Sequence, residues 1–261
     1  MSRWPADSNP SRAEHAPSRR WLRLPGHEAT CTLFLQSDAV WRFKRGSDDV
    51  QRFSPASEWA AAHAGGNVRL VLSDTLTHQL VVSDPALPIE DADALLAWAR
   101  HQFVHYHGPA ALQWPVSTWL KGPQRGASAA HGIDLDALVR SAAAKGVRLR
   151  AVQPWWAVAL QAATLEAPTL ELAEHAELWL VEALQVTRVV CVQGRVQQIE
   201  QHWLERADAT ALAALMAERS PTGRVLWTLG YGLSEGGFEA LPARRLGTLT
   251  GERPSARWIG V

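Results

Sequence analysis

The sequence predicts an α/β protein in which two β-β-β-α-β units flank a smaller β-α-β-β-α-β unit. Three observations carry this. Short apolar or alternating runs come in threes near residues 30–53 and again near 177–203, each trio followed by a helix signal and a buried-type strand. Between them, strands alternate with two well-capped helices. The composition, 47% apolar against 20% charged over 261 residues, suits a globular chain that can bury a core without disulfide staples.

In the first unit, Thr30–Gln36 is an apolar run and Val40–Lys44 alternates. After a Gly46-Ser47-Asp48 turn, Val50–Phe53 is the third strand. Ser54-Pro55 opens a short helix to His63, since proline is tolerated in a first helical turn. Gly65-Gly66 stops it, and Val68–Leu72 follows as a buried-type strand. In the last unit the three strands are Glu177–Ala183, Thr187–Val192 and Arg195–Trp203. Asp208 caps a helix to about Arg219, Ser220-Pro221-Thr222-Gly223 breaks it, and Val225–Leu229 is a strand. The two units share a pattern and no appreciable identity.

In the middle, Thr77–Val82 is a strand. Pro88 with Glu90, Asp91 and Asp93 starts a long helix to about Tyr106, placing acid at its positive end. Gly108-Pro109 ends it, and Ala111–Val116 is a strand. Lys121–Arg125 is a polar turn and Ala127–His131 a further strand. Asp134 caps a helix through Lys145, Gly146 closes it, and Val147–Val152 is the last strand. This is the ferredoxin-like order. Pro154 then starts an apolar helix, Trp155–Leu165. The expected layout is a flexible basic tail at 1–27, a first lobe at 28–75, an insert at 76–153, a second lobe at 154–240 and an extended C-terminal tail at 241–261.

Charge narrows the function. Lys+Arg and Asp+Glu are both 26, so the chain lacks the cation excess of a general nucleic-acid binder. Cys31 and Cys191 are far apart with no CxxC pair, which excludes zinc ribbons and disulfide scaffolds. The first 25 residues lack the apolar core of a secretory signal, and no 18-residue apolar run predicts a membrane span. Thirteen tryptophans against two tyrosines predict aromatic core packing and an exposed protein-binding surface, for which Trp98, Trp119 and Trp258 are the candidates.

Two β-β-β-α units separated by a βαββαβ insert resemble the plan of the ribonuclease H-like, actin-like ATPase superfamily. The long helix ending in Phe103 and Tyr106-His107-Gly108, and the phrase Gly146-Val147-Arg148-Leu149-Arg150-Ala151-Val152-Gln153-Pro154, narrow the resemblance. They are similar to segments of PilM and of the cytoplasmic domain of GspL. Those are assembly-platform proteins of type IV pili and type II secretion systems. The resemblance spans residues 29–230 by element order.

Such ATPases hold phosphates in two hairpin turns of the Asp-x-Gly kind, where glycine lets backbone amides approach. Here the first hairpin carries Asp38 and the second Glu182, and neither has a glycine. Gly230 and Gly232 follow a strand as the adenosine-side glycines of such folds do. The resemblance therefore implies a degenerate cleft, no cofactor, and a non-catalytic scaffold. It implies a cytoplasmic location, peripheral at the inner membrane through an inner-membrane assembly protein whose cytoplasmic segment is bound. A second copy of the chain is a further partner. The alternative is an actin-like ATPase in which Asp38 and Glu182 face the phosphates. A nuclease is disfavoured because Thr30–Gln36 carries no carboxylate. His101, His105 and His107 form an HxxxHxH run that reads either as a zinc pair or as imidazoles complementing a helix C-terminus. Gly232-Leu-Ser234-Glu-Gly236 lacks the following apolar helix of a nucleophile elbow.

Overall fold

The computed structural model describes residues 31–260 apart from 45–48, 55–64, 83–86, 88, 90, 122–123, 169 and 171–172. The N-terminal tail, the turn at 46–48, the helix over 55–63 and Glu90 lie outside the described residues.

Five strands form a first sheet: β1 (Cys31–Leu35), β2 (Val40–Lys44), β3 (Val50–Phe53), β4 (Gly66–Leu72) and β8 (Val147–Pro154), in the order β3-β2-β1-β4-β8. β1 is antiparallel to β2 and parallel to β4. Its five residues are all buried, as expected of a central strand covered on both faces. A second sheet repeats the order as β11-β10-β9-β12-β13. It comprises β9 (His175–Glu182), β10 (Gln185–Val192), β11 (Arg195–Trp203), β12 (Val225–Tyr231) and β13 (Arg244–Arg245). A third, antiparallel sheet joins β5 (Thr77–Val81), β7 (Gln124–Ala130) and β6 (Val116–Lys121) in that order.

Among the described residues, four α-helices cover these sheets. α1 (Ala92–His107) is capped by Asp91, which accepts from the amides of Asp93 and Ala94. It packs Ala99 and Phe103 on the third sheet. α2 (Leu135–Ala144), capped by Asp134, packs Leu135 and Ala142 on the first. α4 (Ala209–Arg219), capped by Asp208, packs Leu212 and Met216 on the second. α3 (Trp155–Glu166) buries Trp155, Trp156, Val158, Ala159 and Ala163, more than one stripe of its surface. It lies in the core cluster shared by the first and second sheets, so it must be apolar nearly all round.

Three expectations are corrected. The ferredoxin-like βαββαβ insert is not formed, because β8 leaves it and pairs in parallel with β4. β4 has a second edge to satisfy, and a parallel partner must arrive by a crossover, which α2 supplies. The insert is therefore β5-α1-β6-β7, and residues from α2 onward return to the first sheet. The strand expected at 111–116 is a 3-10 turn at Pro109–Gln113 with β6 beginning at Val116. The expected C-terminal tail is part of the body: β13 extends the second sheet, Leu246 and Leu249 are buried, and Trp258 and Ile259 pack on α3.

Candidate functional site

The parallel pairs β1–β4 and β9–β12 bring their C-terminal ends to face each other. Gln36, just past β1, donates from Nε2 to the Tyr231 hydroxyl at the end of β12 (2.8 Å). Trp41 Nε1 donates to Gln36 Oε1 (2.7 Å), which orients that amide. Just past β4, the Ser73 hydroxyl donates to Glu182 Oε2 at the end of β9. The Asp74 amide donates to Glu182 Oε1 (3.1 Å). Asp74 Oδ1 accepts from the Trp156 amide at the start of α3 (3.1 Å). The rings of Phe34, Trp155 and Tyr231 meet at centroid distances of 5.7–6.1 Å beside this network. Side chains of the chain itself thus fill the space between the two sheets.

Asp74 and Glu182 are both almost fully buried. Burial raises the Asp74 carboxyl well above its ordinary range, and the neighbouring Glu182 raises it further. Asp74 Oδ2 and the Thr187 hydroxyl form no hydrogen bond of normal geometry, although Thr187 is close enough to favour the ionised Asp74 slightly. Burial also lifts Glu182, to about 7, against the opposing hydrogen bonds from Ser73 and the Asp74 amide. Two carboxyls so placed do not both ionise near neutrality.

A carboxyl with a raised pKa stabilises the fold below its unfolded value of 4.5 and loses that contribution as pH rises through about 7. Glu182→Gln keeps an acceptor for the Asp74 amide and offers a donor to Ser73. The variant is expected to match the parent in urea denaturation at pH 5.5. Above pH 8 it should exceed the parent by on the order of 2 kcal/mol. Equal stabilities at both pH values would sink the protonated-pair assignment.

The sequence-derived candidates are distributed unevenly. Glu182 lies at the centre of the network. Asp38 sits on the β1–β2 turn with its side chain 69% exposed and pairs with Arg52 (3.3 Å). The two acids therefore do not line one open cleft. Gly230 and Gly232 pack closely against β9 and the residue that follows it: a Cβ at Gly230 would lie 2.2 Å from Val181 O, and one at Gly232 would lie 2.7 Å from Ala183 Cα. Trp258 is in the core, where Trp155 Nε1 donates to its carbonyl (3.1 Å). Trp119 is half-buried against Trp156 (5.3 Å), and Trp98, on α1 itself, is half-buried against the apolar clusters beneath that helix. Among the described residues, the exposed indole is instead Trp203, at 70%.

Beside the network a groove of about 400 Å³ opens between the third sheet and the second. Asp74 and Thr75 line it together with His78, Gln79, His107 and His131 on one side and Gln185, Ile199, Gln201 and Trp203 on the other. His78 stacks between His107 (4.0 Å) and His131 (4.2 Å), and Trp114 lies 5.2 Å from His78. Desolvation, then the neighbouring His131 and His107, lower His78 to about 4. His107 and His131 are lowered as well, by burial first. Gln201 Nε2 donates to Asp74 O and Thr77 O (both 2.8 Å), tying β11 to the β4–β5 turn. Sequence reasoning found His107 but missed His78 and His131, which sit on separate elements and share no local spacing with it. Among the described residues, no group of three or more His, Cys, Asp or Glu side chains is arranged to hold a metal ion. No helix among them is long and apolar enough to cross a membrane.

No protein-family model matches the chain, and no curated protein matches its sequence. Solved structures do match its shape. A Bacteroides thetaiotaomicron protein of actin-like ATPase fold and unknown function superposes with a TM-score of 0.54 at 9% identity, covering 84% of this chain and 90% of its own. The PilM–PilN type IV pilus biogenesis complex superposes at 0.56 with 12% identity, covering 86% and 91%. The cytoplasmic domain of EpsL, an inner-membrane component of the Vibrio cholerae type II secretion system, superposes at 0.50 with 14% identity, covering 88% and 92%. Two sheets of identical strand order, facing each other across their C-terminal strand ends, and these superpositions over most of both chains give this chain an actin-like ATPase fold, similar in structure to the PilM–PilN complex and to the EpsL cytoplasmic domain.

Proposed function

We propose that the chain is a non-catalytic adaptor of a pilus-like or secretion-like assembly platform, acting in the cytoplasm on a segment of an inner-membrane protein. The observation that supports it most is the closed inter-sheet network. Glu182, Ser73, Asp74, Gln36 and Tyr231 bond to one another where an actin-like ATPase opens its cleft. Hairpins without glycine, and glycines packed closely against β9 and the residue that follows it, point the same way. The likeness to a PilM–PilN complex and to a domain of an inner-membrane secretion component supports the choice of machine.

Mg·ATP at millimolar concentration is expected to leave the unfolding temperature unchanged, because no binding means no mass-action stabilisation. A saturable shift with nucleotide would overturn the non-catalytic reading. Crosslinking to an integral inner-membrane protein through a defined cytoplasmic segment, reproduced with that segment as a synthetic peptide, is the positive result expected.

A further inference from the structure

We infer that the histidine-lined groove is a receptor for a single carboxylate carried by a peptide segment, and that it takes up a proton when it binds. This deepens the adaptor reading and rests on it for the identity of the partner, but not for the chemistry of the groove.

The tautomer of His78 follows from its neighbours. Gln201 Nε2 is committed to two carbonyls, so Gln201 Oε1 is an acceptor. His78 Nδ1, 3.3 Å from it, is therefore the donor. That leaves His78 Nε2 as a lone-pair acceptor with no partner among the described residues. Gln201, by holding Nδ1, is a positioning residue for that nitrogen.

No Lys or Arg lines the groove among the described residues, so its only latent positive charge is imidazole. The other titratable groups nearby do not supply a fixed charge to it. On the β4–β5 turn burial, then the neighbouring Glu182 of β9, disfavours the charged form of Asp74. On β11, Glu200 and His202 flank Gln201 but pair with each other and with Arg188. On α1, His101 and His105 are exposed, and Asp134 past His131 is engaged in capping α2. The stack disfavours charge when the groove is empty, since an imidazolium at His78 would face two neighbouring rings at about 4 Å and one at His107 or His131 would face His78. An incoming anion offsets that repulsion for one proton.

The same repulsion selects the ligand. One imidazolium is compatible with the stack and neutralises one carboxylate. A dianionic phosphate would need two, with no guanidinium or ammonium to help. The volume of about 400 Å³ holds one or two side chains, and Trp203 at the rim offers an apolar cover to the rest of a peptide.

Histidine-selective ¹⁵N NMR titrations of the unmodified full chain between about pH 4 and pH 8 test this directly. The probes are N-acetylglutamate and N-acetylglutamine, each with its α-carboxyl blocked as the amide so that they differ by a single side-chain carboxylate, and inorganic phosphate. N-acetylglutamate is expected to raise the titration of the stack by about one unit or more, and to bind up to about tenfold tighter per unit of acidification. N-acetylglutamine should do nothing and phosphate less than the carboxylate. His78→Gln should abolish the shift in His107 and His131. No shift with N-acetylglutamate, an equal shift with N-acetylglutamine, or a larger one with phosphate overturns the inference. Carboxylate binding with proton uptake in a chain that crosslinks to no membrane protein would remove the adaptor reading and leave the groove's chemistry standing. Partner binding that is independent of pH would do the reverse.

Discussion

Glu177→Ala is expected to cost about 3–5 kcal/mol and to leave the second sheet at the edge of unfolding at neutral pH. Glu177 is fully buried on β9 and accepts from Arg188 Nε (3.0 Å), the Ser220 hydroxyl (2.6 Å) and Trp179 Nε1 (3.1 Å), and is ion-paired with Arg224. Those partners come from β10, the end of α4 and the approach to β12, so one carboxylate ties together three neighbouring strands and a helix. Burial alone would raise its pKa, but the hydrogen bonds from Arg188, Ser220 and Arg224 outweigh burial and hold it below the ordinary range. Removing it leaves Arg188 buried with Glu200 as its remaining acid partner. The sign with pH follows: the contribution is present above the unfolded carboxylate value of 4.5 and is lost as pH falls through the lower folded value. Urea denaturation at pH 7 checks the magnitude. A loss below about 1 kcal/mol would show that the cluster is not the anchor of this sheet.

Gly232→Ala and Gly230→Ala are each expected to destabilise by more than about 3 kcal/mol, the scale of a core residue forced against backbone. Gly232 has φ +88° and Gly230 φ +151°, and a Cβ at either meets main chain within 2.7 Å, of Val181 on β9 for Gly230 and of Ala183 just past β9 for Gly232. Backbone cannot swing aside as a flexible side chain could. Gly236 is the control: its φ is +97° but nothing lies within 4 Å of a Cβ there. Gly236→Ala should therefore lose only about 1 kcal/mol, the cost of the backbone conformation itself. Thermal unfolding of the three variants side by side decides it. If Gly232→Ala and Gly236→Ala fall equally, close approach of the Ala183 main chain is not what keeps glycine at 232.

Much of the fold was legible because its elements announce themselves locally. Asp91, Asp134 and Asp208 each sit before an apolar run and each caps the helix that follows. The continuous apolar run from Cys31 matches the full burial of β1, whereas β2 buries the adjacent Val40 and Trp41 together and so departs from the alternation read at Val40–Lys44. The hairpins lacking glycine were equally plain. The partner of β8 was not, since Val147–Val152 would satisfy either sheet by pattern. Pairing with β4 depends on backbone groups some eighty positions away. The tryptophans failed for a related reason. An indole reads the same in a core and on a surface, and Trp258 entered the core through the fold of a segment that looked like a tail.

The sequence by itself determined most of the strands and helices and their order, the caps at Asp134 and Asp208, the neutral charge and the absence of glycine from the two hairpins at 35–39 and 181–187. Each of these is a property of residues within a turn or two of one another. Only the tertiary structure decided which strand completes the first sheet, that Asp74 and Glu182 meet across 108 positions, and that three histidines from three elements stack in one groove. Burial and charge pairing are set by neighbours in space, and local periodicity reports only which face is hidden, not what it is hidden against.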